Sequence, residues 1–228
     1  MHEKQKMKNL NQLGWLLFLM VASVQLQAQK MYNEGTITYN IVVNTGNKEA
    51  KAADLLDGAT QKINFKGNQT RTELTSILGK TITVHDSKSG NAVVMNEYGD
   101  QKILIRMTKE NYAEANSKFE NTQFEITNET KTILGYTCKL AIAKMKDGSS
   151  FKVYFTSDIS FQNKDYGVQF QNLPGYPLEY ESEFGKMKVT YIAEKITFDP
   201  VASALFDLPK TGFREMSYED VKKARTKN

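Results

Sequence analysis

Apolar and polar residues alternate with a period of two along most of this chain, which places successive side chains on opposite faces of a strand. Ile37, Tyr39, Ile41 and Val43 share one face of a first strand, with Thr36, Thr38 and Asn40 on the other. The rhythm returns over 61–65 and 69–74 across a Gly67-Asn68 turn, then over 81–85, 92–97 and 101–107. It resumes at 123–127, at 137–145 and 151–156 around Asp147-Gly148, and at 178–184 and 187–198 around a Phe184-Gly185 turn. In the last segment Met187, Val189, Tyr191 and Ala193 alternate, and then the apolar phase slips to Ile196 and Phe198. One extra residue near Glu194-Lys195 produces such a slip and bends the strand. About ten strands without a long helical run predict a mainly β fold, a curved antiparallel half-barrel with short covering helices. Those helices are expected at 47–57 and at 108–118, the second capped by Thr108.

The start of the chain reads differently. Lys4, Lys6 and Lys8 precede an apolar core from Leu13 to Val24, and Leu26-Gln27-Ala28 offers a small residue for cleavage. That order marks residues 1–28 as a signal peptide, and the apolar run is short for a membrane span. The expectation is export across the inner membrane to the periplasm. One β domain is expected over 29–215 and a polar helix or tail, capped by Ser217, over 216–228. After residue 28 the chain carries 27 basic and 25 acidic residues, too even a balance to hold nucleic acid by displacing counterions. Any membrane contact is expected to be transient at most.

Reactive side chains are scarce. His85 is the single histidine after the leader and Cys138 the single cysteine of the chain. Asp86 next to His85 points to the other face of a strand, so it cannot orient the ring, and no Gly-x-Ser-x-Gly elbow is present. His85 is expected at a strand end, half-exposed, and Cys138 as a buried, inert thiol. Glu179, Glu181 and Glu183 share one strand face, where pairing with Lys186 and Lys188 would make them a solvated, charge-paired surface. The inventory predicts no catalysis, no metal and no cofactor.

Two passages carry a resemblance. Asn172-Leu173-Pro174-Gly175-Tyr176-Pro177-Leu178-Glu179-Tyr180 resembles the GLPG-type signature of small exported proteins of Gram-negative bacteria. It follows Thr132-Ile133-Leu134-Gly135-Tyr136-Thr137-Cys138-Lys139, which resembles their hILGYxCKKA segment. The tail Leu205-Phe206-Asp207-Leu208-Pro209-Lys210-Thr211-Gly212-Phe213 is similar to the ending of outer-membrane lipoprotein-sorting domains. Together they resemble the LolA/LolB-like superfamily and its exported relatives over roughly residues 30–215. The chain departs from the GLPG form at Asn172 and from the second basic residue after Cys138 at Leu140.

The resemblance implies an open curved sheet whose concave face takes acyl chains or other apolar ligands. Val93, Met95, Ile103, Ile105, Met107, Phe151, Val153, Phe155, Met187, Val189 and Tyr191 are expected to line that face. Its methionines would adapt to ligands of variable shape. The 47–57 and 108–118 segments would act as lids, with Gly58 and Gly79 as hinges. The function expected is that of a non-catalytic binding protein for a lipid or other hydrophobic small molecule. The alternative is a protein-interaction module of the cell envelope, with an envelope protein as partner.

Overall fold

The computed structural model describes residues 30–44, 58–164, 167–184 and 187–225. The leader, the helix expected at 47–57 and residues Gly185 and Lys186 lie outside the described residues. The first half of the chain is a meander of β2 (Glu34–Asn44), β3 (Thr60–Lys66), β4 (Gln69–Ser76), β5 (Gly79–Asp86), β6 (Ala92–Tyr98) and β7 (Gln101–Met107). After α1 (Lys109–Ala115) come β8 (Gln123–Ile133), β9 (Tyr136–Lys144), β10 (Ser150–Thr156), β12 (Tyr176–Phe184) and β13 (Met187–Thr197). A short β14 (Arg214–Ser217) and α2 (Tyr218–Arg225) follow. β1 (Lys30–Tyr32) and β11 (Ile159–Phe161) pair with each other in a separate two-stranded sheet.

The large sheet has twelve strands in the order β14-β7-β6-β5-β4-β3-β2-β13-β12-β10-β9-β8. It is mainly β and open, as expected, with more strands than the alternation alone delimits. Its pairings are antiparallel except β14 on β7, and β1 on β11 is parallel too. The register shifts between Ala193 and Lys195, where the apolar phase slips in the sequence. Further shifts occur between Tyr154 and Phe155 and between Ile126 and Thr130. Each such irregularity adds local bend and twist.

The strand order explains the position of α1. The chain leaves β7 near one edge and re-enters the sheet at β8, the opposite edge, so residues 108–122 must cross a face. We call that side the helical face. Thr108 caps α1 with a reciprocal pair: its hydroxyl accepts from Asn111 N–H and its own N–H donates to Asn111 Oδ1, both at 3.3 Å. No residue of α1 is buried, so the helix lies on the sheet as a cover and adds little core of its own.

Two layers pack on the sheet. On the helical face an aromatic core gathers over β2, β3, β10 and β12, with Phe65 stacked on Phe161 at 4.3 Å and Tyr180 on Tyr191 at 4.6 Å. The buried Tyr39 hydroxyl donates to the Pro177 carbonyl at 2.8 Å, so this core leaves that polar tip satisfied. On the opposite face, the segment after β13 returns across β5–β7. Val201 and Phe206 bury against Ile82, Val84, Met95 and Leu104. Each such side chain contributes about 1.5–3 kcal/mol on leaving water. Glu34 ties this segment down: it accepts from Val201 N–H at 2.8 Å and from Lys66 Nζ at 3.1 Å, while Lys66 also donates to the Val201 carbonyl.

Gly79, expected as a hinge, opens β5 opposite Ser76 of β4. Its φ is +141°, and a Cβ there would meet the Glu97 carbonyl oxygen at 2.0 Å, so glycine is needed for two hairpins to approach.

Candidate functional site

Register decides which side chains meet on the helical face. One row runs Ile105, Val94, Thr83, Thr72, Ile63, Ile37 from β7 to β2. It is apolar at both ends and polar in the middle. The aromatic core covers the β2–β3 end, and α1 and α2 cover the β7 end. Between them a cleft of about 570 Å³ opens over β4, β5 and β6. Gln61, Thr72, Thr81, Thr83 and Asn96 floor it. Val94, Ile105, Met107, Tyr112, Tyr218 and Val221 wall one side, and Val168 and Gln169 stand on the other.

Ring stacking, a cap and an ion pair hold the helices above this cleft. Tyr112 of α1 stacks on His85 with ring centres 4.4 Å apart. Ser217 caps α2, accepting from Asp220 N–H at 3.1 Å and donating to the Asp220 carboxylate at 2.6 Å. Tyr218 and Val221 then pack on the cluster of Ala92, Ile105 and Met107. Lys222 of α2 pairs with Glu114 of α1, bridging the two helices, and that carboxylate raises the lysine's pKa. The C-terminal helix is therefore a wall of the cleft and not merely a polar tail. A second cleft of about 690 Å³ lies on the other side of α1, between His85, Lys109, Glu120 and Asn172, and shares Tyr112, Asn116 and Val168 with the first.

The structure divides the eleven residues expected on one face. Val93 and Met95 pair with Arg106 and Leu104 and sit on the opposite face, under Val201 and Phe206. Ile103, Ile105 and Met107 lie on the helical face, where Ile105 and Met107 line the cleft. Val153 and Phe155 are buried in the aromatic core, with Phe151 and Tyr191 packed partly against it. Val189 joins Ile41 and Ala59. Met187 occupies β13 opposite Phe184, and its side chain lies outside the described residues. The alternation within each strand is as read, but the phase between neighbouring strands differs: Met95 faces Leu104, not Ile105. Both faces of β6 and β7 are covered, so apolar residues occur in both phases and the sequence does not separate them. The floor residues leave a faint trace, since the β-branched, hydroxyl-bearing Thr81 and Thr83 take the two central positions of one phase of β5, between Gly79 and His85.

The reactive groups fall where they do little chemistry. His85 is buried under Tyr112, not half-exposed at a strand end. Among the described residues no group of three or more His, Cys, Asp or Glu is arranged to hold a metal. Glu183 stands opposite Lys188 and Glu181 opposite Thr190, two positions off the expected pairing. Glu179 instead accepts from Lys131 Nζ at 2.6 Å, and Glu181 from Lys152 N–H at 3.1 Å.

Cys138 is fully buried, and burial pushes its thiol from near 9 up to about 11. Burial, followed by the neighbouring Tyr191 and Tyr39, likewise holds the Tyr180 phenol well above its ordinary 10. Both acids ionise later in the folded chain than in the unfolded one. The stability they contribute is complete below their unfolded values and is lost as pH rises through the folded ones. The denaturation midpoint should therefore fall as pH is raised from 9 towards 11. A flat midpoint across that window would show these groups to be solvated.

A family described as N-glycanase peptide, N-terminal domain, matches residues 101–165, well under half of the chain. Among solved structures, PNGF-II is similar with a TM-score of 0.49 and 13% identity over 84% of this chain. The chain spans 33% of that protein's length. MucB is similar with a TM-score of 0.41 and 11% identity, covering 80% of this chain and 59% of that one. A DUF1329 family protein from Desulfovibrio piger is similar with a TM-score of 0.38 and 10% identity, covering 81% and 93%. No curated protein matches the chain.

Proposed function

We propose that this chain is an exported, non-catalytic binding protein that holds a lipid or similar hydrophobic small molecule between its helices and its sheet. The cleft carries this reading. Its volume of about 570 Å³ lies within the range of small-molecule sites, and Ile105, Met107, Tyr112 and Val221 give it an apolar wall. Burial is the whole mechanism: each methylene that leaves water for such a wall contributes about 0.8 kcal/mol. α1, none of whose residues is buried, is the cover that would move to admit a ligand. Among the described residues no helix is long and apolar enough to cross a membrane.

The test uses a fluorescent acyl probe and native mass measurement of protein taken from its own compartment. Replacing Met95 or Phe155 would report on folding, since both are buried away from the cleft. Val221→Asp is the informative variant, because Val221 is half-buried on α2. It should weaken probe binding about tenfold or more by placing a charge against the apolar wall, with the circular dichroism unchanged. Equal binding by both proteins would remove the cleft from consideration.

A second reading, a protein-interaction module of the cell envelope, draws on one feature. Ile77 and Leu78, at the turn between β4 and β5, are 72% and 43% exposed. A clean apo mass, in protein that also ignores added amphiphiles, would favour it.

A further inference from the structure

The floor and wall of the cleft differ in chemistry, and the difference names a class of ligand for the site proposed above. Part of the floor is already committed. The Thr81 hydroxyl donates to Asn96 Oδ1 at 3.0 Å and meets the Tyr98 hydroxyl at 2.6 Å. The Tyr180 hydroxyl donates to Gln61 Oε1 at 2.7 Å. Asn96 and Gln61 thus have their oxygens occupied and their NH₂ groups left to donate. Thr72 and Thr83 stand opposite each other in register, and their hydroxyls make no hydrogen bond among the described residues.

Charge narrows the class further. Lys222 is the one charged group among the described lining residues, and Glu114 is its partner. A carboxylate or phosphate entering this floor would give up hydration with no free cation among the described lining residues to replace it. An uncharged, hydroxyl-rich head exchanges water for threonine hydroxyls and amide NH₂ groups at little cost. The apolar wall lies one or two strands away, on β6, β7 and α2, within reach of a chain attached to such a head.

The geometry points to a neutral amphiphile as the occupant. An uncharged polyhydroxylated head, of the kind a sugar provides, lies over Gln61, Thr72, Thr83 and Asn96. Its apolar chain runs along Ile105, Met107 and Val221. This rests on the cleft being the binding site.

Three probes separate the contributions, each titrated calorimetrically into the whole chain below any micelle concentration. Octyl glucoside carries head and tail, octanoate the same tail with a charged head, and methyl glucoside the head alone. Octyl glucoside should bind about tenfold tighter than either of the others. Thr72→Val with Thr83→Val preserves side-chain shape and should weaken octyl glucoside about tenfold, as two uncharged hydrogen bonds are lost, while octanoate is unaffected. Octanoate binding as tightly as octyl glucoside would overturn the neutral-head assignment and leave the cleft itself standing. Methyl glucoside binding as tightly as octyl glucoside would overturn the role of the chain. Silence from all three, together with an unresponsive acyl probe, would remove both this inference and the cleft reading beneath it.

Discussion

Gly175→Ala should cost this protein about 3 kcal/mol or more, and soluble yield should fall with it. A Cβ at this position would lie 2.3 Å from the Thr156 carbonyl oxygen and 2.8 Å from the Phe155 ring. The oxygen belongs to backbone at the end of β10, where the strand meets β12 just beyond a register shift, and neither partner can retreat cheaply. The residues on either side of Pro174-Gly175, Leu173 and Tyr176, are buried in the aromatic core, so the loop cannot lift away. Gly148→Ala is the natural comparison. Its φ of +84° also disfavours a side chain, but nothing lies within 4 Å of the added carbon. That variant should lose only about 1 kcal/mol. Equal denaturation midpoints for the two variants would mean that the contact at Thr156 relaxes freely.

Phe206→Ala is expected to destabilise by about 3–5 kcal/mol, the usual cost of an aromatic removed from a closed core. Phe206 ends a 3-10 turn over Ser203–Phe206 and buries against Ile82, Val84, Met95 and Leu104. Removing its ring leaves that face of β5–β7 covered chiefly by Val201 and the half-buried Leu208 and Phe213. The Glu34–Lys66 pair still holds the upstream end at Val201, and Arg71 still donates to the Leu205 carbonyl at 3.2 Å. Amide exchange should therefore rise most at 204–208, ahead of 199–202, and the denaturant midpoint should drop. A loss below about 1 kcal/mol would mean that the tail is not part of the folded core.

Several elements were legible because one mechanism dominated them. The Gly67-Asn68 turn, the Thr108 and Ser217 caps and the slip at Glu194 each announce themselves through local stereochemistry, and each is present. The length of β8 was not legible. Its residues beyond Thr127 are almost all exposed as an edge strand, so no buried face imposes alternation. β14 is four residues long and is made by pairing with β7, a long-range event with no local signature. The site was legible only in part. Ile105 and Met107 follow from apolar periodicity, but period two says nothing about the phase between strands. It also cannot show that Thr72 and Thr83 face a cleft while Ile82 and Met95 face a buried layer. The glycines of the two motif segments have clear physical roles: Gly175 allows a close approach, and Gly135, at φ +83°, turns β8 into β9.

The seam between β2 and β13 has a consequence for how the chain assembles. Ile41 pairs with Tyr191, partners ~150 positions apart, and loop closure over such a span is slow. Until β13 arrives, the meander from β2 to β7 must wait with the hydrogen-bonding edge of its earliest strand exposed. That edge carries Ile37, Tyr39 and Ile41, and a bare apolar strand of this kind pairs readily with other chains. The vulnerable period in the life of this protein is therefore the interval before its last long strand docks, and the order in which it is synthesised lengthens that interval.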